Sequence, residues 1–343
     1  MKDIRELYLE ELKQEIAALG EKAFRAEQIF SWLHEKGAAS FDEMTNLSLA
    51  LREKLAGQFE IGSVRVRTVQ ESALDGTRKY LLELSDGNLI ESVLMRYHYG
   101  CSVCVSTQVG CRMGCAFCAS TVEGMVRNLS ASEILGEIYE IERDLGEKVT
   151  HCVLMGSGEP MDNYDEVVRF LRLLGAPKGH HLSMRNVTVS TCGLPDEIRR
   201  FSQENLPVTL ALSLHAADDE TRKKLMPVAK RYPLSEVLRA CDAYFERTGR
   251  RVSYEYAVVG GVNDNEAEAL KLAALLRGKN AHVNLIPVNP VTERHFTRPD
   301  RTEIEAFQKI LVKHGINATI RRELGSDIDG ACGQLRRKYI REE

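Results

Sequence analysis

The sequence predicts an α/β fold, namely a partial (β/α)6 barrel with a small helical N-terminal domain and a short β-hairpin extension. Strand-like apolar runs alternate with helix-like periodic segments from about residue 97 nearly to the C-terminus, which is the pattern of a parallel sheet with crossover helices. About six such units are present, and that is too few for a closed eight-stranded barrel. The sequence therefore favours an open, partial barrel.

Four segments are predicted along the chain. Residues 1–62 form a helical, helix-hairpin-helix-like accessory domain, because apolar residues recur at helical spacing from Ile4 onward and Gly20 and Gly37 end two helices. Residues 63–96 contain two strand-like runs around Asp86-Gly87, which predict a hairpin. Residues 97–330 form the parallel core, and residues 331–343 form a C-terminal segment that carries the last cysteine.

The composition is that of an ordinary soluble globular protein, with 343 residues of which 43% are hydrophobic and 28% charged. No apolar run is long enough to span a membrane, and the charged N-terminus lacks a signal-peptide core, so we expect a cytoplasmic protein without a membrane partner. The net charge of −4 argues against a purely electrostatic nucleic-acid binder. Basic pairs such as Lys223-Lys224 and Arg321-Arg322 nevertheless allow a local basic rim.

Three of the nine cysteines stand within eight positions, in the spacing C-x3-C-x2-C that is formed by Cys111, Cys115 and Cys118. Thiolates are soft ligands that hold iron–sulfur clusters, and a tight loop aims three of them at three corners of a cube. A cluster with three protein ligands keeps one iron open for a substrate. The alternatives are a zinc knuckle or unrelated buried thiols, but zinc requires a fourth ligand at paired spacing.

Small or polar residues follow several of the predicted parallel strands. In parallel α/β folds the strand ends at this edge carry the chemistry, so these loops are expected to meet around one site. Each loop taken singly is as well explained by capping as by ligand contact, whereas their common position favours a binding site. The candidate binding residues are Gly158, Glu159, Ser190, Ser213, Leu214, His215 and Asn289.

Glu91 is a charged residue inside an otherwise apolar strand of the predicted hairpin. One interpretation places its side chain outward, on the solvent face of an alternating strand. The other interpretation is a partly desolvated carboxylate that acts as a base. The spacing alone leaves both open.

Five sequence features occur together: C-x-S-x-Q-x-G-C from Cys104 to Cys111, the C-x3-C-x2-C loop, Gly158-Glu159-Pro160, Ser213-Leu214-His215, and Ala331-Cys332-Gly333-Gln334-Leu335. The cysteine spacing resembles the signature of the radical S-adenosylmethionine (SAM) superfamily. The whole combination resembles the RlmN/Cfr family of radical SAM RNA methyltransferases, and the resemblance covers essentially the entire chain.

This resemblance implies a [4Fe-4S] cluster on the three cysteines and SAM on its open iron, held by the rim loops. It also implies RNA binding by the N-terminal domain and methylation of adenine C2 in 23S rRNA and in certain tRNAs. In the family, the cysteine that matches Cys332 is first methylated by one SAM, and a second SAM supplies the radical. A base then removes the ring proton, and the resemblance leaves open whether this base is Glu91 or Cys104. Cys104 releases the product as a transient Cys104–Cys332 disulfide.

Two other functions stay open at this point. One is the Cfr-type reaction at C8 of adenosine, which shares the cysteine set and confers antibiotic resistance. The other is a radical SAM enzyme with another substrate, or a non-catalytic iron–sulfur RNA-binding protein, although neither would need both Cys104 and Cys332. The resemblance also implies an external reductant such as flavodoxin or ferredoxin, and we expect a monomer.

Overall fold

The N-terminal part is helical in the computed structural model, which describes residues 1–289, 296–328, 335–336 and 338–339. Its elements are β1 (Lys2–Asp3), α1 (Leu9–Ala18), α2 (Phe24–His34), α3 (Leu49–Gln58) and β2 (Phe59–Glu60), and the two short strands pair in parallel. The first α-helix begins at Leu9 and not at Ile4, where a short 3-10 helix lies instead. The backbone N–H of Tyr8 donates to the carboxylate of Glu11 at 2.8 Å and so caps the helix at this point.

Buried polar side chains join this helical part to the rest of the molecule. Arg5 is only 2% exposed and donates to the carbonyl oxygen of Ala38 at 2.7 Å. Its guanidinium also lies over the ring of Tyr139, at 5.4 Å from the ring centroid. The hydroxyl of Tyr139 lies 3.0 Å from Nδ1 of His34, which is fully buried. The contact between the two parts is therefore specific, since buried polar groups are costly when their partners are missing.

We expect His34 to make the folded protein less stable in acid. Burial, with further help from the cation of Arg5, lowers the pKa of His34 from 6.5 to about 3. Between these pH values only the unfolded chain binds the proton, so stability from this group is lost as pH falls below about 6.5, at up to about 1.4 kcal/mol per pH unit. Urea unfolding, followed by the fluorescence of Trp32 at pH 7, 6 and 5, measures the effect.

The variant His34→Asn keeps a polar group near Tyr139 but cannot titrate. It is expected to lose less stability than the unmodified protein between pH 7 and pH 5. Equal losses in the two proteins would show that His34 takes up its proton at an ordinary pKa in the folded state.

Three antiparallel strands follow, and they are β3 (Val64–Glu71), β4 (Arg78–Leu84) and β5 (Leu89–Tyr97). Gly87 has a φ of 81° in the turn between β4 and β5, where the sequence predicts the hairpin. These strands are more than a separate extension, because β5 pairs with the first strand of the parallel region and continues the same sheet. The hairpin is correctly predicted, but its continuity with the barrel depends on pairing that no local pattern specifies.

The parallel region contains six βα units and a closing strand, so the predicted fold class is confirmed. Its strands and their flanking helices are β6 (Gly100–Cys104), β7 (Gln108–Gly110), β8 (Met125–Asn128), α4 (Ala131–Leu145), β9 (His151–Leu154), α5 (Tyr164–Leu174), β10 (Val187–Thr191), α6 (Pro195–Phe201), β11 (Thr209–Ser213), α7 (Asp219–Leu225), α8 (Leu234–Thr248), β12 (Val252–Val258), α9 (Glu266–Leu275), β13 (Ala281–Pro287), α10 (Arg301–Lys313) and β14 (Asn317–Ile320).

The ten-stranded sheet has the order β14-β13-β12-β11-β10-β9-β6-β5-β4-β3, so β14 and β3 are its two edges. These edge strands do not pair with each other, which leaves the barrel open on one side. β7 and β8 form a separate two-stranded ribbon beside the sheet. Within the described residues, no helix has the length and apolar character that crossing a membrane requires.

Candidate active site

A cavity of about 560 Å³ lies at the carboxyl ends of the parallel strands and extends into the open barrel. Ten of the residues singled out from the sequence line it, and they are Cys104, Cys111, Cys115, Cys118, Gly158, Glu159, Ser190, Ser213, His215 and Asn289. Two other candidates, Glu91 and Leu214, are not among its lining residues, and Cys332 lies outside the described residues. The fold thus brings loops from distant parts of the sequence to one cavity.

The loop that carries the three cysteines is held by backbone contacts on both sides. Gly110, just before the loop, has a φ of 77°, and a Cβ at this position would lie 2.0 Å from the carbonyl oxygen of Gly124. Within the loop, the N–H of Ala116 donates to the carbonyl oxygen of Leu225, at the end of α7, at 2.8 Å. The loop is therefore fixed between the β7–β8 ribbon and the C-terminus of α7.

The surroundings of the cysteine loop disfavour free thiolates. Burial raises the pKa of the Cys111 thiol to about 12, and it also raises the pKa of Cys115. Such thiols lose their protons when a metal replaces them. Among the described residues, no three His, Cys, Asp or Glu side chains gather around the position of a single metal ion. A cluster lets each of the three thiolates bind a different iron, whereas a single zinc ion needs all its ligands around one position.

A buried arginine beside the loop provides a test of whether a negatively charged cluster fits here. Arg222, on α7, is 0% exposed, and its Nη2 donates to the carbonyl oxygen of Cys192 at 2.7 Å. Its Nη1 is buried without a hydrogen-bond partner, and none of the ion pairs among the described residues includes it. A buried cation is costly unless a negative group lies near it. A cluster with three thiolate ligands would supply that negative charge, so the residues present fit the cofactor.

Glycines allow the loop after β9 to approach the β6–β7 connection closely. A Cβ on Gly156 would lie 2.6 Å from the carbonyl oxygen of Val105. Gly158 has a φ of 110°, and a Cβ there would lie 2.7 Å from the hydroxyl oxygen of Thr107. Both contacts are too short for a side chain, so this loop requires glycine at these two positions.

Glu159 is buried at the cavity wall and connects two strand-end loops. Its carboxylate accepts the backbone N–H of Cys192 at 2.7 Å and that of Met161 at 3.0 Å. Burial raises the pKa of Glu159, although these donors act in the opposite direction. Because each carboxylate oxygen has a second lone pair, the side chain still has an acceptor site for a cationic amino group in the cavity.

His215 is held in a fixed orientation as a neutral imidazole. Its backbone is in the left-handed region, with a φ of 56°, and its Nδ1 accepts the backbone N–H of Ala257 at 2.9 Å. Burial lowers the pKa of His215 to about 3, so the ring stays uncharged at neutral pH. The proton is therefore on Nε2. The ring packs edge-on against Phe117 of the cysteine loop, with 4.8 Å between the centroids.

Leu214, between Ser213 and His215, has a fully buried side chain in the hydrophobic core. Its backbone N–H donates to the carbonyl oxygen of Glu255 at 3.0 Å. The side chain therefore helps to place its two neighbours at the cavity, and a cofactor contact by Leu214 itself stays a prediction.

Glu91 faces inward, so the outward-facing interpretation is wrong. Its side chain is 5% exposed, and its Oε2 lies 3.1 Å from Nζ of Lys79, which is 0% exposed. Lys79 and Cys104 both lie opposite Val93, on the two strands that flank β5. Residues that lie opposite each other on paired strands share a face of the sheet, and so do residues two positions apart on one strand. Glu91 is two positions before Val93, so Glu91 and Cys104 lie on the same inner face.

The chain beyond β14 crosses the open side of the barrel. The carboxylate of Asp327 accepts the hydroxyl of Ser72 at 2.6 Å, at the turn between β3 and β4. Gly325 donates to the carboxylate of Asp75, in the same turn, at 2.9 Å. Further along, the backbone N–H of Arg336 donates to Oε1 of Glu91 at 2.6 Å. Described residues on both sides of the Cys332 segment therefore contact the inner wall or the open edge of the barrel.

Comparison with known proteins gives two family matches. The family model for the Radical SAM superfamily matches residues 105–273. The family model for the ribosomal RNA large subunit methyltransferase N-terminal domain matches residues 2–61. A protein of Lachnoclostridium phytofermentans, named as a probable dual-specificity RNA methyltransferase RlmN, is 57% identical over 98% of this chain and 95% of its own length. The chain belongs to the RlmN family of radical SAM methyltransferases.

Other relatives in the RlmN family are similar over the full length. A Clostridium perfringens protein with the same name is 53% identical over 100% of this chain and 99% of its own. The crystal structure of a radical SAM methyltransferase from Sphaerobacter thermophilus superposes with a TM-score of 0.93, at 42% identity, over 97% of this chain and 99% of that one. As a radical SAM enzyme, this RlmN-family chain uses a [4Fe-4S] cluster and SAM.

Two buried charged residues at the site were missed by the sequence reasoning. Glu255, on β12, lines the cavity and accepts the side-chain amide of Asn284 at 2.7 Å, and burial raises its pKa. The sequence feature that could have revealed Glu255 is the same one that Glu91 shows, namely a charged residue inside an otherwise apolar strand. Arg222 gives no such signal, because an arginine in a short charged helix is typical of a protein surface.

Proposed function

We propose that this protein methylates C2 of a specific adenosine in 23S rRNA and in tRNAs, by way of a methylated cysteine. The observation that carries the proposal is the set of groups that meet at the inner wall of the cavity. There the cysteine loop, Cys104 and the strand that bears Glu91 meet, and Arg336, four residues after Cys332 in the sequence, contacts Glu91. The full-length similarity to proteins named dual-specificity RNA methyltransferase RlmN supports the two RNA substrates.

Cys111, Cys115 and Cys118 would hold the cluster, and the loops with Glu159, Ser190, Ser213, His215 and Asn289 would bind SAM. When bound, the cluster supplies the electron that starts radical chemistry from SAM. Neutral His215 and the satisfied carboxylate of Glu159 are already fixed by backbone contacts, so the wall that faces SAM is rigid before the ligand arrives.

Cys332 is assigned the role of methyl carrier. Its thiolate attacks the methyl carbon of SAM, the methyl–sulfur bond of the sulfonium breaks, and S-adenosylhomocysteine leaves. Adenine C2 is electron-poor and does not attack a sulfonium directly, which is why the methyl group must travel through a protein thioether. Cys332 lies outside the described residues, and the contact between Arg336 and Glu91 supports its approach to the site.

Glu91 and Cys104 are assigned the later steps. The methyl carbon on Cys332 would lose one hydrogen atom to the radical chemistry of SAM and bond to C2 of the adenine. Glu91, whose Oε2 lies 3.1 Å from Nζ of Lys79, accepts the proton from C2, and the adduct also gives up one electron, which the cluster would take back. The thiolate of Cys104 then attacks the sulfur of Cys332, the bond between that sulfur and the transferred carbon breaks, and the carbon keeps the electron pair and takes up a proton to become the methyl group, while a Cys104–Cys332 disulfide forms. An external reductant such as flavodoxin or ferredoxin returns the disulfide to two thiols.

The N-terminal domain is proposed to bind the RNA, and the protein is proposed to act as a cytoplasmic monomer. The match of residues 2–61 to a ribosomal RNA methyltransferase domain supports RNA binding. Arg321 and Arg322 line the cavity and supply positive charge near the site despite the acidic net charge, whereas the charge of Arg298 is paired with Glu323. Recognition of a base that is flipped out of folded RNA needs only such a local surface.

The test is to identify the product. Anaerobically reconstituted protein is incubated with methyl-labelled SAM, a reductant, and either protein-free 23S rRNA fragments or tRNA, and the digested RNA is examined by mass spectrometry. We expect the label in 2-methyladenosine from both RNAs. Label in 8-methyladenosine would assign the Cfr-type reaction instead, and 5′-deoxyadenosine without labelled RNA would contradict the proposed substrate.

A further inference from the structure

Arg222 is a fully buried cation that takes no part in the proposed reaction. Its guanidinium donates to the carbonyl oxygens of Cys192 at 2.7 Å, Leu214 at 3.2 Å and Ser213 at 3.4 Å. All three carbonyls belong to the ends of β10 and β11, at the rim of the cavity. Carbonyl oxygens are dipoles and do not cancel a full charge, and Nη1 has no hydrogen-bond partner among the described residues.

The possible counter-charges near Arg222 are few. Asp219, on the same helix, is a carboxylate whose charge acts on Arg222, but among the described residues it forms no ion pair with the guanidinium, and one of its oxygens accepts the backbone N–H of Leu234 at 2.7 Å. The other ionisable neighbours are the thiols of Cys115, Cys192 and Cys241.

The arginine lies directly behind the cysteine loop. Three residues after it, Leu225 accepts the N–H of Ala116 and packs in one apolar cluster with Cys115 and Cys192. The guanidinium itself has no contact with water, because Arg222 is 0% exposed. Its field therefore acts through a medium of low polarity, in which charge–charge interactions are strong.

We propose that Arg222 raises the reduction potential of the iron–sulfur cluster, and this inference rests on the proposed binding of that cluster by Cys111, Cys115 and Cys118. Reduction adds one negative charge to the cluster, and a nearby buried cation stabilises the reduced state more than the oxidised state. Net charge around a cluster is one of the main factors that set its potential. Arg222 is thus a tuning residue that makes the first electron transfer easier without touching SAM or RNA.

The test is a redox titration of the reconstituted full-length protein, followed by the electron paramagnetic resonance signal of the reduced cluster. Arg222→Gln and Arg222→Met both remove the charge, so either variant that folds carries the test. We expect an equilibrium constant for one-electron reduction that is at least about tenfold lower, which corresponds to a midpoint about 59 mV more negative. Arg222→Lys, which keeps the charge, is expected to retain most of the original midpoint.

Arg5→Gln is the matched control, because Arg5 is also a buried arginine, at 2% exposure, but lies in the N-terminal part. Its midpoint should equal that of the unmodified protein. An unchanged midpoint in a neutral Arg222 variant with full iron content would overturn the proposal, as would equal shifts in the lysine and neutral variants. Cluster assembly is measured first by iron content and visible absorbance, and an unmodified protein that assembles no cluster would overturn the cluster assignment itself.

Discussion

Replacing Cys115 with alanine is expected to abolish cluster assembly and, with it, SAM cleavage and RNA methylation. Cys115 is one of only three thiols available to the cluster in the loop, and the open iron leaves no spare protein ligand to take its place. Iron content should fall from about four atoms per chain to below about one. The fold itself should survive, since losing one partly buried sulfur atom costs about 1 kcal/mol or less.

Cys241→Ala is the matched control for this prediction. Cys241 is 0% exposed on α8, within the hydrophobic core, and it does not line the cavity. This variant should keep its iron and its activity while losing a similar amount of stability. Full iron content in the Cys115→Ala protein, or loss of iron in the Cys241→Ala protein, would contradict the assignment of the loop as the cluster site.

Replacing Cys104 with alanine is expected to stop the reaction at a covalent protein–RNA adduct. In the proposed scheme, Cys104 is the thiol that attacks Cys332 and frees the methylated RNA, so its removal blocks only the last step. Released product should fall on the order of 100-fold, while SAM cleavage in the first turnover continues. Denaturing gel electrophoresis with labelled RNA would detect the adduct as a protein-dependent, slowly migrating band.

Cys152→Ala provides the comparison, because Cys152 is equally buried on the neighbouring strand β9. It lies opposite Val103 and therefore on the other face of the sheet from Cys104. This variant should release product normally. If the Cys104→Ala protein also releases methylated RNA at the normal rate, without an adduct, another group must resolve the intermediate.

The fold class was predictable because its signals are local. The alternation of strands and helices from about residue 97 follows from the periodicity of short segments, and the structure contains that alternation. The start of the first helix was predicted less well, because it depends on a single hydrogen bond between the backbone N–H of Tyr8 and the carboxylate of Glu11. The predicted division of the chain into four segments stays a prediction.

The candidate site was predictable to the extent that its residues occur in compact runs. Cys111, Cys115 and Cys118 stand in one loop, and Gly158 and Glu159 stand in another, so their spacing reveals them without a structure. Glu91 was ambiguous, because a lone charge on a strand has two possible faces. Its burial depends on Lys79 from the adjacent strand, and pairing between strands is a property of the whole sheet.

By itself, the sequence determined that this chain is an open α/β barrel with a three-cysteine loop, since both follow from periodicity and spacing within short segments. Only the tertiary structure decided that the hairpin joins the barrel sheet, that Glu91 shares an inner face with Cys104, and that Arg222 lies buried behind the cysteine loop. The physical reason is the same in each case. Burial and pairing arise from contacts between residues that are far apart in the chain, and local patterns do not specify such contacts.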